Sequence, residues 1–173
     1  MRPIIKRLRT WLPAVLVFIV FYSAMHAWQT RDMASGMAPE VSFTQSDNSH
    51  AMRLNEWRMA HAGEPTVLYF WATWCAVCHV EQPLISQFVQ QYPVLPVAMQ
   101  SGNATQVAQF EQQHGLLWHS AIDSQGDIAK AFGIAGTPSF VVLDANGRIS
   151  SRTIGITSPW GLRARLLWAR LSA

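Results

Sequence analysis

Cys75 and Cys78 are the only two cysteines in this 173-residue chain, and three residues apart they form a pair able to carry two electrons. The run Val67 to Trp71 before them is aromatic and β-branched, which predicts a buried strand. After them Val77, Val80, Leu84, Ile85, Phe88 and Val89 recur at three- and four-residue intervals, which predicts a helix. The pair therefore falls where a strand passes into the first turn of a helix. Free N–H groups and the helix dipole favour negative charge there, so Cys75 is expected to be a reactive thiolate near neutral pH. Cys78, one turn further in, is placed to attack a mixed disulfide formed at Cys75.

Three other uses of the pair compete with this one. A purely structural disulfide closing so short a loop would contribute little stability. A zinc site wants four ligands, and His79, His114 and His119 are poorly spaced to complete one. Cys75, Cys78 and His79 also fit C-x-x-C-H, the attachment motif of c-type haem. The strand-to-helix context favours a redox dithiol over haem, but the local sequence leaves both open.

The elements that must position the pair continue on both sides. Val41–Phe43 reads as a short edge strand, and Leu54–Ala60 as a short helix ending in a turn over residues 62–65. Beyond the central helix, Val94–Met99 reads as a strand broken by Pro96. Ala104, Val107, Ala108 and Phe110 pattern a helix closed by Gly115. Trp118–Ile122 reads as a short strand and Ile128–Phe132 as a short helix ended by Gly133. Strands at Ser139–Leu143 and Arg148–Ile154 are joined by a hairpin turn over Asp144–Gly147. From Ser158 onward, Trp160, Ala164, Leu167, Trp168 and Leu171 fall on one helical face, with Arg163 and Arg170 expected opposite. That face is expected to pack on the sheet, with a membrane-surface helix as the alternative.

The N-terminus carries a membrane signal. Arg2, Lys6, Arg7 and Arg9 precede an uncharged run from Trp11 to Trp28, and as a helix its 18 residues span about 27 Å, close to the thickness of a bilayer core. Tryptophans bracket the run, and the basic flank is expected to stay cytoplasmic. Met25–Ala27 is a poor signal-peptidase site and Ala34–Gly36 lies too far on, so an uncleaved anchor is expected. The expected organisation is a basic N-terminus over 1–10, a transmembrane anchor over 11–28, a small polar tether over 29–40, and one domain over 41–173.

Charge agrees with that division. Four of the 13 Lys and Arg precede the anchor, leaving nine against ten Asp and Glu, so the pI near 9.2 is largely topogenic. No basic stripe with interleaved aromatics points to nucleic acid. Met33, Met37, Met52, Met59, His50 and His61 are scattered and form no tight copper cluster.

The order of elements, the Cys75–Cys78 helix and the Thr137-Pro138 step before a hairpin resemble the thioredoxin fold, an α/β fold with a central mixed sheet flanked by helices, over about residues 65–155. Trp71 to Cys78 resembles that superfamily's active site, and Pro83 falls where it carries a helix-kinking proline. Tyr69 stands where cytosolic thioredoxins carry a buried aspartate. Glu81, in C-x-x-C-x-x-E-x-P, is similar to the glutamate of the membrane-anchored TlpA- and ResA-like reductases. The anchor, Leu68–Cys75 and the tail from Gly155 resemble most closely the ScsD family, suppressor of copper sensitivity proteins D.

The resemblance implies a periplasmic protein disulfide reductase on the bacterial inner membrane. It would be a monomer, take a protein disulfide as substrate, use no cofactor or metal, and draw electrons from a membrane reductase of the DsbD or ScsB type. Cys75 would attack and Cys78 resolve. Glu81, one turn beyond Cys78, would accept a proton if burial raises its pKa; the alternative is an exposed surface carboxylate. Trp74 would shield the dithiol or simply pack. Thr137 and Pro138, cis in the family and facing the dithiol, would offer backbone to an extended substrate, or merely start a strand. The Thr-Pro loop, Glu81 and Pro83 weigh against haem. A copper- or haem-precursor-binding module using the same thiols, and a disulfide oxidase, remain as alternatives.

Overall fold

The computed structural model describes residues 2–47 and 50–172. It divides into two compact units, residues 1–31 and 32–173. The first is one helix, α1 (Arg2–Thr30), containing an 18-residue window, Pro13–Thr30, long and apolar enough to cross a bilayer. Val15 through Tyr22 are all exposed. The side chains of residues 1–12, Trp11 among them, lie outside the described ones.

The second unit is built on a five-stranded mixed sheet in the order β5-β4-β3-β6-β7. Its central strand, β3 (Thr66–Trp71), is buried along its whole length, as its unbroken apolar run requires. It pairs in parallel with β4 (Val94–Met99), which in turn pairs in parallel with β5 (Ala121–Asp123). On its other side β6 (Ser139–Leu143) runs antiparallel, and β7 (Ile149–Ile154) pairs antiparallel with β6. Pro96 does not break β4. The ladder to β3 runs through it, and pairing to β5 begins only at Val97, so no ladder bond is asked of Pro96 on that side.

One face of the sheet, carrying Val67, Tyr69 and Trp71, packs on α3 (Ala76–Val89), α4 (Ala104–Gln113) and α6 (Pro159–Leu171). The opposite face, carrying Leu68 and Phe70, packs on α2 (Leu54–Met59) and α5 (Asp127–Ala131). The short edge strand expected at 41–43 is present as β1 (Ser42–Phe43), which pairs antiparallel with β2 (Met52–Arg53) in a separate two-stranded sheet. Trp118, expected in a strand, is outside β5 and packs edge-on against Tyr69 and Trp71.

Two expectations are corrected by packing. Residues 33–38, read as tether, belong to the domain. Met33 is buried in the α2/α5 side of the core, Arg152 Nη1 donates to the carbonyls of Met33 (2.7 Å) and Ala34 (2.8 Å), and Ala34 N–H donates to Phe132 O (2.9 Å). Gly133, at φ +65°, makes room for this segment, since a Cβ there would run into the Asp32 carbonyl. The segment looks like linker in sequence because its bonds are made by backbone, which composition does not report. The second correction concerns α6. It buries Leu162, Leu166 and Ala169 against the sheet, whereas Trp160, Ala164, Leu167, Trp168 and Leu171 are all exposed.

Candidate active site

The tail of β3 delivers the chain into a loop of three residues and then into α3, with Cys75 as the N-cap residue. The loop is pinned by Ser101, which the sequence did not single out, and by His79. Thr73 N–H donates to Ser101 Oγ (3.0 Å), and that hydroxyl in turn donates to Met99 O (2.9 Å). His79 Nε2 stands 2.9 Å from Thr73 O and closes the loop from the helix side.

Cys75 and Cys78 form a disulfide with their Cα atoms 5.3 Å apart. Cys75 Sγ accepts the Cys78 N–H at 3.2 Å, so one of the free amides of the first turn is already directed at the sulfur that would carry the negative charge after reduction. Cys75 retains 6% exposure and Cys78 none, so an incoming partner reaches Cys75. The Thr137–Pro138 peptide bond is cis, and Thr137 O lies 3.6 Å from Cys75 Sγ, which brings together two motifs 62 residues apart. Trp74 is not packed in the core. Its ring is largely exposed, and its Nε1 donates to Gln100 O at 3.1 Å, tying it across the loop after β4.

Glu81 is only 2% exposed, which removes the surface-carboxylate alternative. Burial raises its pKa to about 7, opposed in part by the Tyr69 hydroxyl and the Thr157 backbone N–H beside it. Neither neighbour closes to a full hydrogen bond: both Glu81 oxygens and the Tyr69 hydroxyl are buried without a partner among the described residues. Tyr69 is itself fully buried, stacked on Phe140 with ring centroids 4.9 Å apart. Burial, with the Glu81 charge beside it, pushes its phenol pKa far up, so Tyr69 stays a proton donor. Its position in the buried strand one helix away from Glu81 was visible in the sequence, but its contact with that residue was not.

The haem alternative does not fit this arrangement. Cys78 has no exposed surface for a thioether bond, and the His79 ring is engaged with Thr73 O and with Phe110 at 5.5 Å between ring centroids. Among the described residues no group of three or more His, Cys, Asp or Glu could hold a metal ion.

Known proteins carry the same architecture. A "Thioredoxin-like protein" of Haemophilus influenzae is 36% identical over 107 residues, 61% of this chain and 64% of that protein. The thiol-disulfide oxidoreductase ResA of Geobacillus kaustophilus is 26% identical over 155 residues, 86% of each chain. Among solved structures, a thiol:disulfide interchange protein of the thioredoxin family from Chlorobium tepidum superposes with a TM-score of 0.62 at 21% identity, over 80% of this chain and 99% of that one. The exposed lipoprotein thioredoxin of Streptococcus pneumoniae gives 0.61 at 20% identity, over 75% and 98%. These two likenesses show the thioredoxin fold. The sequence profile of the Redoxin family matches residues 34–160, well over half of the chain, and by that match the chain belongs to the Redoxin family.

Proposed function

We propose that this chain is a membrane-anchored periplasmic protein disulfide reductase of the ResA/DsbE type, most similar to the ScsD proteins. Its span at the N-terminus holds it to the inner membrane with the domain on the periplasmic side. The observation that carries the reading is the graded burial of the pair: an N-cap sulfur with slight exposure, followed by a fully buried one.

In the reduced protein the Cys75 thiolate attacks one sulfur of a client disulfide. The client S–S bond breaks, a bond from Cys75 to the client forms, and the other client sulfur leaves as a thiolate. Cys78 then loses its proton to Glu81 and attacks Cys75 Sγ. The mixed disulfide breaks, the second client sulfur leaves, and the Cys75–Cys78 disulfide forms. Both client cysteines are reduced and both electrons come from Cys75 and Cys78, so no cofactor is needed. A membrane dithiol reductase of the DsbD or ScsB type restores the pair, because an oxidising periplasm will not. Thr137 O and Pro138 offer backbone beside Cys75 to an extended client segment, Trp74 covers the loop side of the pair, and the domain acts as a monomer.

The test is a trapping experiment in intact cells. Cys78→Ser is expected to accumulate client proteins as mixed disulfides on Cys75, and Cys75→Ser none. Equal trapping by both variants would overturn the assignment of roles. A measured reduction potential near that of a strong oxidant would replace the reductase by an oxidase.

A further inference from the structure

Helix α6 is apolar on two opposite sides. At about 100° per residue, Leu162, Leu166 and Ala169 centre on one side, and Trp160, Ala164, Leu167, Trp168 and Leu171 centre roughly half a turn away. The first set is buried against the sheet; the second is exposed, with Trp160 at 77% and Leu171 at 76%. Arg163, Arg165 and Arg170 stand between the two sides. No acidic residue occurs from Ile156 to the end of the chain. The arginines are held along the helix surface: Arg163 lies over the Trp160 ring at 5.2 Å and donates to Gln91 Oε1 at 3.1 Å, Arg165 Nη1 donates to Gly161 O at 3.2 Å, and Arg170 pairs with Glu64 at 3.2 Å.

We infer that the outer face of α6, with Trp160, Leu167, Trp168 and Leu171 at its centre and the three arginines at its rim, seats the domain on the anionic surface of the bilayer. The inference rests on the reading of α1 as a membrane anchor. Three observations choose this occupant. Only Arg31 and Asp32 separate the end of α1 from Met33, which is buried and held by Arg152, so the anchored domain starts within about 10 Å of chain from the span. Arg152 belongs to the edge strand β7, and α6 packs on β7 from the other face of the sheet, so tether and helix share one edge of the domain. Tryptophan and leucine between arginines also suit an interface of acyl chains and anionic headgroups. A second copy docked through the same face would bring arginines against arginines. The seated face begins at the dithiol end, since Thr157, three residues before Trp160, lies beside Glu81. Seating would therefore hold the site close to a donor in the membrane.

The experiment is hydroxyl-radical footprinting of the full chain, one copy per nanodisc, read by mass spectrometry at single residues. Trp74, exposed and held to Gln100 O in the loop after β4, is the internal reference. On discs containing phosphatidylglycerol, oxidation of Trp160 and Trp168 is expected to fall about fivefold or more relative to Trp74, and Leu167→Glu/Leu171→Glu is expected to restore it with the melting temperature unchanged. If Trp160 and Trp168 oxidise like Trp74 while Phe18 to Met25 of α1 are protected, the anchor reading stands and the seating is overturned. If residues of α1 are not protected, the anchor reading itself fails, and the seating with it. Protection seen only in discs carrying two copies would assign the face to self-association. Equal protection on pure phosphatidylcholine would overturn the role given to the arginines.

Discussion

The Tyr69 hydroxyl lies beside the Glu81 carboxyl in the interior of the domain, and neither closes a full hydrogen bond among the described residues. The strand that leads into the dithiol loop thus supplies a proton donor next to the carboxyl on the dithiol helix. A carboxyl with a pKa of about 7 changes charge near neutral pH, so in the proposed mechanism this pair is placed to govern the resolution step.

Glu81→Gln is expected to slow resolution by about 100-fold, as loss of a general base does, while the first attack by Cys75 is retained. In the wild type the resolution rate is expected to rise through pH 7, and in the variant that limb should be absent. Stopped-flow measurement of the two steps against pH separates them; an unchanged profile would remove Glu81 from the mechanism.

The same carboxyl ties stability to pH. Its folded pKa is raised above the unfolded value, so between about 4.3 and about 7 the folded state holds more proton than the unfolded one. Its contribution to stability is therefore fully present below pH 4 and is lost as pH rises towards 7. The loss is on the order of 3 kcal/mol, and Glu81→Gln should abolish this part of the slope. Denaturant titrations of the oxidised protein at pH 5 and pH 8 provide the measurement.

Tyr69→Phe removes the hydroxyl that opposes the rise in the Glu81 pKa. The resolution limb is expected to move up by about 0.3 pH unit, less than the loss of a full hydrogen bond of ordinary strength would give. The fold should hold, because the ring stacking on Phe140 survives and the lost hydroxyl had no full hydrogen bond. A purely structural Tyr69 would change the melting temperature and leave the pH profile in place.

Ser101→Ala leaves the Thr73 N–H without its acceptor and loosens the loop before Cys75. A loss of about 1 to 2 kcal/mol is expected, together with a shifted reduction potential, because the loop sets the N-terminal geometry of α3. Thiol–disulfide equilibration with glutathione reads the potential.

Arg152→Ala frees the Met33 and Ala34 carbonyls and is expected to cost about 2 kcal/mol. A domain starting at Asp32 should therefore melt higher than one starting at Val41. Equal melting temperatures would show that residues 33–38 do not stabilise the fold.

The sequence by itself determined the strand, the Cys75–Cys78 pair and the helix that follows. It also determined the Asp144–Gly147 hairpin and an apolar run at the N-terminus long enough for a bilayer. These are local signals: period, turn chemistry and length are written within ten or twenty residues of one another. Only the tertiary structure decided that Glu81 is buried and meets Tyr69, that Thr137 O reaches Cys75, and that residues 33–38 join the core. It also decided which apolar face of α6 the sheet covers. Periodicity reveals that a helix has an apolar stripe but not what lies against it. In α6 two stripes were present, and the less conspicuous Leu162, Leu166 and Ala169 are the ones buried in the core where α6 meets β6, β7 and α3.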